Sequence, residues 1–176
     1  MIADFSYFRI KLNYRAEQED GSIASIKPEV LTMATCYTEA EIIANKIASE
    51  NDTFGHVTFE ILKTKIEEVI FNETLLANTD KYIDLNMVEY FFEEEEESEK
   101  GLYEVVYAYP VMNEINGKVK MQKASIHVPA TSSANAIKNF TRFIGDNCME
   151  KAIIRTVKYD KAKIILVTND QHLHNK

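Results

Sequence analysis

The feature that most constrains this chain is an order of local signals that occurs twice, about 96 residues apart. Residues 6–15 alternate, with Phe8, Ile10, Leu12 and Tyr14 on one side and Arg9, Lys11, Asn13 and Arg15 on the other. A period of two is that of a half-buried strand. The turn Gln18-Glu19-Asp20-Gly21 follows, then a second extended segment over residues 22–34, interrupted at Pro28. Asp-Gly suits a hairpin because Gly accepts positive φ. Thr38-Glu39-Ala40-Glu41 then reads as a capping box. Ala40, Ile43, Ala44, Ile47 and Ala48 form the apolar stripe of a helix expected to end at residues 49–51. Residues 56–71 read as one long or broken strand.

The second half has the same order. Residues 103–112 are β-branched and aromatic, Asn116-Gly117 is a hairpin signal, and residues 118–128 are the return strand. Ser132 or Ser133 caps a helix with the stripe Ala136, Phe140, Phe143 and Ile144, and residues 152–167 close the unit as strand. Gly21 and Gly117, Ala40 and Ala136, and Ala44 and Phe140 are each 96 apart, while the last strand pairs Lys63 with Lys158 at an offset of 95. The expected fold is α+β: two tandem ββαβ pseudo-repeats, with helices packed on a mainly antiparallel sheet. Units 1–71 and 103–168 are each marginal in size for folding alone, so one shared core is expected. Residues 72–102 form an insertion and residues 169–176 a polar tail. Within the insertion, periodicity leaves residues 81–92 open between strand and helix.

Charge is the next constraint. The 28 acidic residues outnumber 20 basic ones, but Glu93–Glu97 and Glu99 lie together in the insertion. Without those six the body is nearly neutral, so nothing favours coating nucleic acid by net positive charge. The Glu run reads as a solvated loop, as a recognition segment for a basic partner anchored by Tyr90, Phe91 and Phe92, or as a phosphate mimic. No membrane-length apolar run or signal peptide is present, and Cys36 and Cys148 form no CxxC pattern. A cytoplasmic protein with reduced thiols is expected.

The aromatic-led first strand, the acidic-Gly turn, Tyr37-Thr38-Glu39-Ala40-Glu41, the ending Glu68-Val69-Ile70-Phe71 and the second hairpin-helix-strand unit together resemble a known family. It is a domain-of-unknown-function family of small proteins from Bacteroidota and their phages. The resemblance implies that setting. It implies no activity and no catalytic residues.

No GxSxG, P-loop, GxGxxG or HExxH motif occurs, and five Gly are too few for a glycine-rich phosphate cradle. His172 and His174 lie in the tail, and His56 and His127 at strand positions beside no nucleophile motif. The expected protein is therefore not an enzyme and uses no cofactor or metal. The candidate ligand-binding residues are Arg9, Lys11, Arg15, Lys63, Arg155 and Lys158, with Tyr103 and Tyr107. Arginine forks beside aromatic faces suit phosphate and base recognition, whereas the plain reading is polar residues on strand faces. The leading expectation is a non-enzymatic binding protein for a small anionic, nucleotide-like ligand. In a phage setting this would be a sponge for a host defence signal. The alternative is a protein–protein interaction module, either a virion component or an acidic inhibitor of a basic partner. A homo-oligomer is compatible with both.

Overall fold

The structure, a computed structural model, describes residues 5–70, 82–84, 99–146 and 151–166. In chain order the elements are β1 (Ser6–Glu17), β2 (Ile23–Ile26), β3 (Glu29–Ala34), α1 (Tyr37–Glu50), β4 (Thr58–Lys63), β5 (Tyr82–Asp84), β6 (Gly101–Met112), β7 (Val119–Ala130), α2 (Ser133–Asp146), β8 (Ile153–Asp160) and β9 (Ile164–Leu166). The class is α+β, as the residue pattern predicts.

Among the described residues, 5–65, 82–84 and 162–166 form one compact unit and 66–70, 99–146 and 151–161 a second. In the first, β2 and β3 run antiparallel to one edge of β1 in a single register, from Tyr14 opposite Ile26 to Ser6 opposite Ala34. Proline has no N–H to donate, so the return strand breaks at Lys27–Pro28. The Pro28 carbonyl still accepts the Leu12 N–H at 3.0 Å. β4 takes the other edge of β1. Phe8, Ile10, Leu12, Val30 and Ile61 face α1, whose Ala40 and Ala44 are fully buried against them. On the opposite face Tyr7, Leu31 and Ile165 are also buried.

The start of α1 differs from the expected Thr38 cap. The N-cap is Cys36, in extended conformation and with no side-chain cap bond. The reciprocal acceptor is Glu39, whose carboxylate takes the Thr35 N–H at 2.6 Å and the Thr35 hydroxyl at 2.7 Å. The helix begins early because Glu39 finds its partner four residues back, leaving Thr38 inside the first turn. At α2 the expected cap is present: the Ser132 Oγ accepts the Asn135 N–H at 3.0 Å.

Two expected single strands are instead divided between units. Residues 56–71 form β4 only as far as Lys63, where the Thr64 N–H and hydroxyl both donate to the Tyr7 carbonyl. His56 precedes β4 in a loop with φ 63°, not in a strand. Val69 then bridges His127 in parallel in the second unit, with the Ile70 N–H on the His127 carbonyl at 2.9 Å and the His127 N–H on the Glu68 carbonyl at 3.0 Å. Likewise residues 152–167 form β8 in the second unit and β9 in the first, where β9 runs parallel to β3 with Ile165 opposite Leu31. β5, within the span left open between strand and helix, pairs antiparallel with β9.

In the second unit β6 is central, between β7 and β8. Tyr107, Val105, Ile126 and Val128 pack under Phe140 and Ile144 of α2. The β6–β8 register shifts between Val106 and Tyr107. This leaves Arg155 as an extra residue with no partner, a β-bulge. Tyr103 faces Tyr159 across these strands, as Phe8 faces Lys63 in the first unit. Among the described residues no helix is long and apolar enough to cross a membrane.

Candidate functional site

Strand alternation does place Arg9, Lys11 and Arg15 on one face of β1, but carboxylates meet two of them there. Arg9 Nη1 lies 3.3 Å from Glu29 Oε2, and Lys11 Nζ lies 3.8 Å from Glu29 Oε1. Lys11 sits between Glu29 on β3 and Glu60 on β4. Lys63 pairs with Phe8, which places it at the exposed end of the opposite, helix-bearing face. In the second unit Lys158 stands across from Glu104, and Arg155 is exposed at the bulge. Each of Arg9, Lys11 and Lys158 is thus matched by an acid from a neighbouring strand, which offsets the field that would attract an anion.

The two tyrosines are core residues. Tyr107 packs on Phe140 at a ring-centroid distance of 4.9 Å, and Tyr103 meets Tyr159 edge-on at 5.4 Å. The Tyr103 hydroxyl donates to the Glu99 carbonyl at 2.7 Å. Burial, then the Glu99 charge and Tyr159, push the Tyr103 phenol up to about 12. Burial also raises Tyr107. A raised folded value means that the neutral phenols stabilise the fold fully below about 10, the ordinary tyrosine value, and that this contribution is lost as pH rises toward 12. Urea midpoints measured over that alkaline window should fall, and Tyr103→Phe should fall less steeply.

His127 is the buried polar residue nearest to catalytic chemistry. Its Nε2 lies 3.6 Å from Asp160 Oδ2, with the two side chains 5% and 11% exposed. A nucleophile activated by this imidazole would have to bond Nδ1, and Nδ1 has no hydrogen-bond partner among the described residues. No group of three or more His, Cys, Asp or Glu is placed to hold a metal ion among the described residues.

The surface that does stand out is the outer half of the β6–β7 hairpin, residues 109–123. Two 12-residue strands extend to roughly 40 Å, while the 14-residue α2 covers roughly 21 Å. The hairpin therefore outruns its helix and projects as a two-stranded arm. Its turn is closed by Asn113 N–H to Lys118 carbonyl and Gly117 N–H to Asn113 carbonyl, both 2.8 Å, with Gly117 at φ 69°. Pairing continues to the tip, with Met112 opposite Val119 and Pro110 opposite Met121. Those four residues share one face, since directly opposed residues project together.

The arm exposes large apolar side chains: Ile115 at 96%, Met112 at 65% and Val119 at 64%, with Val111 and Met121 also exposed. Lys118, Lys120 and Lys123 flank them, against the single acid Glu114. An open groove of about 730 Å³ runs along the ribbon, lined by these lysines with Asn113, Asn116, Gln122, Val111, Val119 and Met121. Among the described residues all of its lining comes from one hairpin with no enclosing walls, which suits an extended partner better than a small ligand. Beyond Ala108 on β6, and from Val119 to Ser125 on β7, the outer strand edges pair with nothing among the described residues.

The first hairpin shows that the fold does not require such a tip. There the turn is Glu17 to Ser22, polar and acidic, closed by Asp20 bonds to the Ser22 N–H and hydroxyl. Sequence reading recognised the β6–β7 hairpin but not its exposure. The available signal was length: strands of 12 residues beside a helix of 14 must leave one end uncovered.

No curated protein matches this chain, and no solved structure does. A family model described as domain of unknown function (DUF4494) matches residues 6–169. That match spans nearly the whole chain, and the protein belongs to the DUF4494 family.

Proposed function

We propose that this protein is a non-enzymatic binding module that engages a macromolecular partner through the β6–β7 arm. The observation that carries this reading is the concentration of Val111, Met112, Ile115, Val119 and Met121 on one exposed hairpin, bordered by three lysines. Contiguous exposed apolar surface of this kind marks interaction sites, and Met is enriched in them. The reading favours the protein–protein alternative over capture of a small nucleotide-like anion. Arg9 and Lys11 already face Glu29, and Tyr103 and Tyr107 are enclosed in the core. A cytoplasmic protein working in a Bacteroidota or phage setting is part of the same proposal.

The test replaces Met112, Ile115 and Val119 together by Ser in the full chain, with Ile42→Ser on α1 as control, a residue 66% exposed and away from the arm. Exposed substitutions of this type change stability by only about 0.5 kcal/mol each. The triple variant should keep its unfolding midpoint within that allowance and lose partner capture from cells expressing the protein, while the control keeps it. Equal capture by both variants would refute the reading.

A further inference from the structure

The outer edge of β7 already accepts one extended segment. The His127 N–H donates to the Glu68 carbonyl at 3.0 Å, and the His127 carbonyl accepts the Ile70 N–H at 2.9 Å. Backbone groups alternate in direction along a strand, so Ser125, Lys123, Met121 and Val119 turn their N–H and carbonyl groups to that same edge. The inner side agrees: the Lys118 carbonyl accepts the Asn113 N–H of the turn, and β6 and β7 keep one register from end to end. From Val119 to Ser125 the outward groups meet no strand among the described residues. The other edge of the arm is closed to pairing at Pro110, which lies at an outward position of β6 and has no N–H to offer.

The groove along the arm follows this open edge. Residues 118–123 line it without a break, whereas a groove over one face would take alternate residues. Lys118 and Lys120 project to one face of the ribbon, and Val119, Met121 and Lys123 to the other. None of the three ammonium groups has a carboxylate at ion-pair distance among the described residues. An added strand is therefore matched when its own residues alternate, acidic beside Lys118 and Lys120 and apolar beside Val119 and Met121. A second copy of β7 would instead bring its own lysines to the seam, which like charge disfavours. Resting on the arm as the binding surface, we propose that the partner adds an extended strand of alternating acidic and apolar residues to the outer edge of β7, along Val119 to Ser125. Main-chain bonds hold that strand, and the two faces of the ribbon select its sequence.

Fluorescence anisotropy on the full chain tests this with a labelled heptapeptide of alternating glutamate and valine. The peptide should bind, and bind more weakly as salt is raised, because exposed charge pairs are screened. Met121→Pro removes one outward N–H and spares the β6–β7 bonds, since Met121 and Pro110 are a non-hydrogen-bonded pair. It should weaken binding about tenfold or more, whereas Met121→Ala, which keeps the N–H, should weaken it far less. N-methylation of the peptide reads the same bonds on the wild-type protein. Methyl groups on the valine amides or on the glutamate amides, but not on both, should abolish binding, since only one set faces β7. Equal effects of the two methylated sets overturn the proposal, as does a peptide that does not bind, or equal binding by Met121→Pro and Met121→Ala. Each of these results still leaves the arm as a docking surface if the serine variant loses capture, so the two readings fail separately.

Discussion

Replacing Phe140 by Ala should lower the unfolding free energy of this protein by about 3–5 kcal/mol, a large fraction of the stability of an ordinary domain. Phe140 is 1% exposed and is the largest fully buried side chain among the described residues. It packs on Tyr107 and joins α2 to Val105, Ile126 and Val128 on the sheet beneath. Truncation removes the ring's transfer free energy and leaves a cavity that the paired strands, held in register along β6, can collapse into only in part. The residue at the same helix position in the first unit is Ala44, and there the sheet supplies the bulk through Phe8 and Leu12. In the second unit the helix supplies the bulk, with Phe140 buried at the centre and Phe143 packed against the same cluster. Urea denaturation checks this: the midpoint should fall with the m-value unchanged. Phe140→Leu, which keeps most of the volume, should recover most of the loss.

The second large effect is expected at Asn135. It occupies the same cap position in α2 that Glu39 occupies in α1, but it is 1% exposed, whereas Glu39 lies at the surface. Its Oδ1 accepts the Thr131 N–H at 3.3 Å and the Asn139 Nδ2 at 3.1 Å. Asn139 Nδ2 also donates to the Pro129 carbonyl at 3.2 Å, so the two amides tie the end of β7 to the first turn of the helix. Leucine is close in size and fills the space but accepts nothing, which takes an acceptor from two buried donors. Each such loss costs about 1–3 kcal/mol, so Asn135→Leu should destabilise by roughly 2–4 kcal/mol. Glu39→Ala, with water able to replace the lost acceptor, should cost about 1 kcal/mol or less. A thermal-unfolding comparison of the two variants should show this asymmetry.

Much of the fold was legible because its local rules are strict. Phe8, Ile10, Leu12 and Tyr14 point inward because a strand alternates, and Ala40 and Ala44 are buried because four residues separate neighbours on a helix face. Gly21 and Gly117 occupy their turns at positive φ, where other residues are strained. What sequence reading did not reach was non-local. Thr64 and Lys65 end one apolar run, as Lys161 to Lys163 end another, and nothing in those residues states that the next strand belongs to the other unit. The pairing of Arg9 and Lys11 with Glu29 was hidden for the same reason. Glu29 is far along the chain, and only the hairpin register brings it opposite Lys11. Lys158 looked free until β8 set it across from Glu104. The candidate Tyr103 and Tyr107 were read as ring faces for a ligand, and alternation along β6 turns both toward α2. The acidic run at Glu93–Glu97 lies outside the described residues.

The arm is the part of this account on which function rests. Site-specific photo-crosslinking in cells expressing the full chain tests it most directly. A photoreactive residue at Ile115 is compared with one at Ile42, both strongly exposed and in different units. The account predicts a discrete crosslinked species from Ile115, lost when Lys118, Lys120 and Lys123 are changed to Glu, and only background from Ile42. Equal background from both positions would contradict it.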